Sequence, residues 1–505
     1  MKHQIRSKPL IVIGASGYVG ARLVPCLLNS GYTVRALGRS LKKLRERPWS
    51  NHPCVNLIAA DIFDRNSLKQ ACEGCSVGYY LVHSMDPNQE DFAHADRKAA
   101  DNMAWAAEKS GLERIIYLGG LGREDSSLSK HLRSRAEVGK ILQSGNVPTT
   151  ILRAAMIIGA GSASFEILRY LVERLPIMVT PRWVRTRCQP IGIRDTIDYL
   201  VGCLEVPETI GQSFDIGGSE VLTYDHIMKI YAEEANLLKR WVIPLPVLTP
   251  RLSSYWIHLV TPISASLARP LAEGLSNEVV CTDNRIQQLI PKNLSDCRQA
   301  IRLTLEELQH NLIEDSKGNK AWIPPPEWSY PGDLKWAGGT VYEDYRRIIL
   351  EATPNEVWQH LLQIGGKTGW YYADWLWRLR GFLDQLIGGV GMRQRRNNSN
   401  SLSPGDIVDF WRVCTVESQR RLLLVAEMKL PGQAILDFRI REIHGWTTEI
   451  HQIARFIPRG LGGILYWYSI YPFHQFVFNG MLRRIGELIG KPIISGPERI
   501  RQQNG

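Results

Sequence analysis

Leu10-Ile11-Val12-Ile13-Gly14-Ala15-Ser16-Gly17-Tyr18-Val19-Gly20 is the stretch that decides the fold of this chain. Its four leading apolar residues, mostly β-branched, predict a buried strand. The glycines that follow are spaced GxxGxxG, and residues 21–29 carry on with a helical apolar pattern. A strand, a glycine-rich turn and a helix, in that order, make a site for a pyrophosphate. Bare backbone lets the phosphates come close, and the first helical turn offers unpaired N–H groups and a partial positive charge. The spacing is not the commoner GxGxxG, but its place between strand and helix is the one the mechanism needs. Gly14, Ala15, Ser16, Gly17, Tyr18, Val19 and Gly20 are therefore the expected phosphate-turn residues.

Working outward, β-like runs at 33–37, 55–59, 78–82, 114–118 and 149–152 alternate with helical patterns at 67–72, 96–109 and 132–143. Such alternation predicts an α/β unit, a doubly wound parallel sheet whose ligands bind at the carboxyl ends of its strands. At the exit of the second strand an acidic residue favours NAD(H), and a cation favours the extra phosphate of NADP(H). Here the exit reads Gly38-Arg39-Ser40. A guanidinium matches phosphate geometry, so NADP(H) is the expected cofactor, with NAD(H) as the second choice; the competing reading of Arg39 is a plain surface arginine. Asp61-Ile62, after the third strand, fits an adenine contact equally as well as a helix cap. Leu81 and His83, ending the fourth, border the expected nicotinamide side, although His83 reads as readily as a packed core histidine.

The chain has 505 residues, room for two to four domains. Its net charge of +11 leaves three partners to weigh: nucleic acid, an anionic membrane surface or anionic small molecules. The basic residues are scattered and no nucleic-acid-binding signature accompanies them, so nucleic acid is not expected. Nine dispersed cysteines, an odd number, argue for a reducing, cytoplasmic setting. Cys72 and Cys75 form a CxxC without the further ligands of a zinc site, and no metal is expected. No signal peptide is read before the first strand.

A run of prolines and glycines marks a boundary: Lys317-Gly318, Pro324-Pro325-Pro326, Pro331-Gly332 and Gly338-Gly339. The expected division is 1–315 for the dinucleotide unit with a substrate-side cap, 316–340 for a linker and 341–490 for a second domain. Ten of the fifteen tryptophans lie from Trp322 onward, so the second part differs in texture. Its alternating runs and long apolar segment predict an α+β domain, with helices on a curved antiparallel sheet. Trp370, Tyr371, Tyr372, Trp375, Trp377 and Trp411 either line a cavity for a hydrophobic small molecule or fill the core. The uncharged run 461–478, followed by Arg483-Arg484, reads as a packed helix, an interfacial helix or a membrane span, leaving peripheral membrane association open.

IGASGYVG, VRALGRS, AADIFD, YYLVHSM, the DRKAADNMAWAAEKSGLERIIYLGGLG stretch and LRSRAEVGKILQSGNVPTTILRAAMIIG together resemble the extended or atypical short-chain dehydrogenase/reductase superfamily. Within it they look most like the NmrA-like, YbjT-type branch. The resemblance implies a Rossmann-type sheet over the first half, followed by a smaller α+β helix-grip (START or polyketide-cyclase-like) domain of unknown function. The family's catalytic pair is Tyr-x-x-x-Lys, with a serine at the end of the fifth strand. Aligning SRAEVGKIL puts Arg135 at the lysine and His131 at the tyrosine, with Gly119-Gly120 at the serine. His131 has a pKa suited to acid–base work, but reads also as an exposed histidine between basic neighbours. Arg135 fits a ribose contact but not a proton relay. Arg153 takes the place of the family's sixth-strand Arg-Pro element, and Asp195 reads as a helix cap. The implied function is an NADP(H)-dependent oxidoreductase acting on a hydrophobic carbonyl or enone. The alternatives are a non-catalytic NADP(H)-binding redox sensor or assembly factor, or a lipid carrier with a regulatory dinucleotide domain. No protein partner is identified.

Overall fold

A computed structural model describes residues 8–82, 92–122, 128–245, 261–263, 265–309, 312–314, 320–322, 341–366, 368–395 and 402–500. They fall into two compact units, one within Met1–Leu308 and the other chiefly within Thr340–Gly505.

The first unit is built on a parallel seven-stranded sheet. Its strands are β1 (Leu10–Ile13), β2 (Val34–Gly38), β3 (Val55–Ala59), β4 (Val77–Tyr80), β5 (Arg114–Gly120), β6 (Thr149–Ala154) and β7 (Ser213–Ile216), in the order β7-β6-β5-β4-β1-β2-β3. The winding reverses between β1 and β4, and a crevice opens beyond the carboxyl ends of strands at such a point. Both faces of the sheet are covered. Leu10 and Val12 pack with Leu23 and Val24 of α1 (Tyr18–Asn29) and Ile197 of α2 (Ile193–Glu205). Ile11 and Ile13 pack on the other side with Leu68, Met103 and Val138, carried by helices Arg65–Cys72, Phe92–Ser110 and Lys130–Ser144. Residues beyond β6 form a smaller core around Phe165, Ile227, Tyr231 and Ile301. Cys72 and Cys75 lie in the sheet's core, where burial pushes the Cys72 thiol up to about 12 and raises that of Cys75.

The second unit is an antiparallel sheet of eight strands. A 30-residue helix, Gly460–Ile489, packs on it through Trp467, Val477, Phe478, Met481 and Ile485. Trp370, Trp377, Phe410 and Trp411 stack in the core, with Trp370 and Trp377 centroids 4.7 Å apart. The buried Trp370 indole N–H donates to Asp409 at 2.8 Å. These rings fill the interior, as one of the two sequence readings had it, but Trp375 is exposed. The strand Ile493–Arg499, paired with Tyr342–Leu350, lies beyond the expected 341–490 span; its Gly496-Pro497 pair and charged end hid it from a hydrophobic pattern. Among the described residues no helix is long and apolar enough to cross a membrane, which removes the spanning reading of 461–478. Most of the expected linker, 316–340, lies outside the described residues.

Candidate dinucleotide site

The turn after β1 is held by backbone alone. Gly14 takes φ +90°, a conformation that suits glycine. The amides of Gly14 and Ala15 both donate to the Leu37 carbonyl, at 3.1 and 3.0 Å, and the Gly17 amide donates back to Gly14 at 2.9 Å. Helix α1 then starts at Tyr18, earlier than the helical pattern from 21 suggested, behind Gly17, which supplies no side-chain cap. First-turn amides have no intrahelical acceptor, so they remain available to an anion. Gly20 seats the helix on the turn. A Cβ there would overlap the Gly14 carbonyl and lie 2.8 Å from the Ala15 Cα. The end of β4 closes in as well, with Leu81 donating to the Ile13 carbonyl at 3.1 Å and its own carbonyl 3.3 Å from where a Gly14 Cβ would sit. These contacts make a cradle that fits a pyrophosphate.

Two residues that sequence reasoning missed brace the turns of this site. The buried Arg47 guanidinium donates to the Ser16 carbonyl at 2.7 Å. Asn102, also buried, donates to the Ile62 carbonyl at 2.9 Å and fixes the turn after β3. The Tyr18 side chain is packed within the protein. Its ring lies under the Arg22 guanidinium at 4.3 Å, and its buried hydroxyl points at Gly159, where any Cβ would collide with it. Burial raises the Tyr18 pKa, so this hydroxyl is no acid at neutral pH. Val19 is half-buried in the first turn of α1.

Arg39 stands exposed just past β2 and has no hydrogen-bond or ion-pair partner among the described residues. Ser40 beside it caps a short helix, accepting the Lys43 amide at 3.4 Å. Asp61 is exposed and accepts the Phe63 amide at 3.0 Å, so one carboxylate oxygen shapes its own turn; the cap of the following helix is Asp64 instead. Ile62 is buried, and His83 lies outside the described residues.

At the corner of β5 and the helix Lys130–Ser144, the chain departs from a proton-relay site. Neither Gly119 nor Gly120 carries a hydroxyl, and a Gly120 Cβ would press on Leu132 and Arg135. Arg135 folds back onto β5 and donates to the Leu118 carbonyl at 2.5 Å. His131 is half-buried one helical turn earlier, on the same face as Arg135. Arg153 pairs with the buried Asp215 at 2.7 Å, and Asp215 also accepts the Thr282 amide and hydroxyl at 2.9 and 3.1 Å. This arginine therefore ties β6 to β7. Asp195 is not the cap expected of it. Helix α2 starts at Ile193 behind Gly192, and Asp195 sits in its first turn, accepting the Ser295 amide at 3.3 Å, with its pKa raised by burial.

With this geometry in place, comparison with known proteins agrees. Residues 14–167 match the protein family described as NAD(P)H-binding. The first unit carries an NAD(P)H-binding domain. Residues 336–481 match a protein family of unknown function (DUF2867). Among curated relatives, the mitochondrial NADH dehydrogenase [ubiquinone] 1 alpha subcomplex subunit 9 of Arabidopsis thaliana is 24% identical over 47% of this chain and 60% of its own length. Photosystem II assembly factor Ycf39 of Cyanophora paradoxa is 27% identical over 42% of this chain and 63% of its own. The chain thus spans less than two thirds of either relative. A triphenylmethane reductase from Citrobacter sp., solved with NADP(H), superposes with a TM-score of 0.49 at 18% identity, covering 58% of this chain and 99% of that one.

Proposed function

We propose that this protein binds NADP(H) in preference to NAD(H) and uses it as a sensor or assembly factor, not through a tyrosine–lysine relay. The observation that carries the cofactor reading is Arg39, exposed at the β2 exit and without a partner among the described residues. A guanidinium there pairs bidentately with a 2′-phosphate. A charge-assisted bond of about 1.5–3 kcal/mol corresponds to roughly a ten- to hundredfold preference. Arg39→Ala should therefore weaken NADPH by that factor in a fluorescence titration and leave NADH nearly unchanged. Unchanged NADPH affinity removes the assignment.

The absence of the usual relay rests on the β5 corner, where glycines stand at the serine position and Arg135 is engaged by a main-chain carbonyl. Relatives named as a subunit of NADH dehydrogenase and as a photosystem assembly factor fit the same reading. One observation favours the second reading, an oxidoreductase for a hydrophobic carbonyl or enone. His131 shares a face with Arg135, and imidazole is the side chain most often used for proton transfer. Bound NADPH supplies a hydride; the protein's part would be to hold the nicotinamide ribose from Arg135 and donate a proton from His131. The assay follows NADPH oxidation against quinones, enones and aldehydes. Binding without turnover across the panel is the expected result. Turnover that falls by about 10²-fold or more in His131→Ala establishes the oxidoreductase instead.

A further inference from the structure

We propose that the second unit docks on the surface of an anionic lipid bilayer through the outer face of the helix Asp374–Leu386. This helix is amphipathic the wrong way round for a water-facing helix. Its inner side buries Trp377, Gly381 and the carboxylate of Asp384, which accepts the amides of Lys429 at 2.7 Å and Gly391 at 2.8 Å. Its outer side presents Trp375, Leu379, Phe382, Leu383 and Leu386, spaced so that all five share one face, and each is about half exposed or more, Leu386 at 66%. A contiguous apolar face of this kind marks an interaction site, since single exposed apolar residues are ordinary but a whole stripe is not.

The long helix extends it. Leu461, Leu465, Tyr468 and Phe476 line one exposed face, and between Gly460 and Leu482 it carries no Lys, Arg, Asp or Glu. The two helices meet where the Arg380 guanidinium reaches the Tyr466 hydroxyl, and Tyr372, just ahead of the shorter helix, lies with its ring 5.0 Å from that of Phe476.

Charge selects the occupant. Arg378 sits exposed on the flank of the stripe, and Arg459 and Arg483 stand exposed at either end of the long helix's uncharged stretch. Both carboxylates of the shorter helix are turned inward: Asp384 as above, and Asp374 onto the Trp370 amide at 2.7 Å. A face of Trp, Leu and Phe flanked by cations, with both carboxylates of the shorter helix turned inward, matches the composition of helices that lie in a bilayer interface and favour anionic lipid. No described helix is suited to span, so the contact is with the surface.

The test uses the full chain and vesicles of phosphatidylcholine, with or without about one-third phosphatidylglycerol. The protein should pellet with the anionic vesicles and be released by raised salt, because screening weakens surface charge attraction. Phe382→Glu with Leu386→Glu should lower binding by at least about tenfold, and Arg378→Glu should weaken it on anionic vesicles only. NADPH affinity and far-UV circular dichroism are read on the same variants, and should be unchanged because these side chains are exposed. Failure to pellet with anionic vesicles overturns the proposal, as does equal pelleting by the double variant. Self-association in solution that the double variant abolishes, without vesicle binding, assigns the face to a second copy and overturns it too. Loss of NADPH binding in the unaltered protein would count against the cofactor reading alone.

Discussion

Gly20→Ala should bind NADPH about 30- to 150-fold more weakly than the unaltered chain, for a methyl group placed where only backbone fits. The added Cβ would overlap the Gly14 carbonyl oxygen and stand 2.8 Å from the Ala15 Cα. Neither neighbour is a flexible side-chain tip, so the start of α1 has to move off the turn. Overpacking of this kind costs about 1–3 kcal/mol, and the upper half of that range gives the predicted loss. The loss falls on binding because the displaced segment carries the amides meant for the pyrophosphate. Titration of NADPH fluorescence reads the affinity, and thermal melts with and without NADPH read whether the cofactor still stabilises the fold. A variant that keeps ordinary affinity would show that these amides do not hold the cofactor.

That turn was legible because its chemistry is local: glycine spacing, a strand before it and a helix after it all lie within one short stretch. The same holds for β1 to β6, each an apolar run with turn residues beside it. Strand β7 was not legible. It carries Asp215, whose carboxylate is tolerable in a buried strand only because Arg153 of β6 meets it, and that pairing is tertiary. Arg47 and Asn102 escaped notice for the same reason, since they reach carbonyls 31 and 40 residues away in sequence. Arg135 was read at the position of the family's lysine, and nothing local announced that the Leu118 carbonyl would occupy it. The aromatic run 370–377 shows the limit of composition. Helical geometry turns Trp375 and Trp377 to opposite sides, one outward and one into the core, and composition treats them alike.

The second unit should lose stability as the pH falls below about 6.5, chiefly through His474. This imidazole is buried between Trp467 and Phe478, with ring centroids 5.0 and 4.7 Å away. Burial, reinforced by the charges of Arg380 and Arg346, pushes its pKa down to about 3. Asp344 lies 3.8 Å off but already pairs with Arg346 at 2.9 Å, so its charge is compensated. In the unfolded chain the histidine titrates near 6.5. Between those two values the unfolded state binds the extra proton and the folded state does not. Stability is therefore fully present above about pH 6.5 and falls as the pH drops, by about 1.4 kcal/mol per unit where the difference is complete. From pH 6.5 to 5 the loss should come to about 1.7 kcal/mol. His451, held below its ordinary range mainly by its own burial, adds in the same direction. Urea unfolding followed by tryptophan fluorescence suits the measurement, because ten of the fifteen tryptophans lie from Trp322 onward. In His474→Phe, which keeps a ring in the same apolar slot without a titrating nitrogen, most of that slope should vanish. An unchanged slope would mean that His474 is protonated in the folded protein and that the packing around it is looser than described.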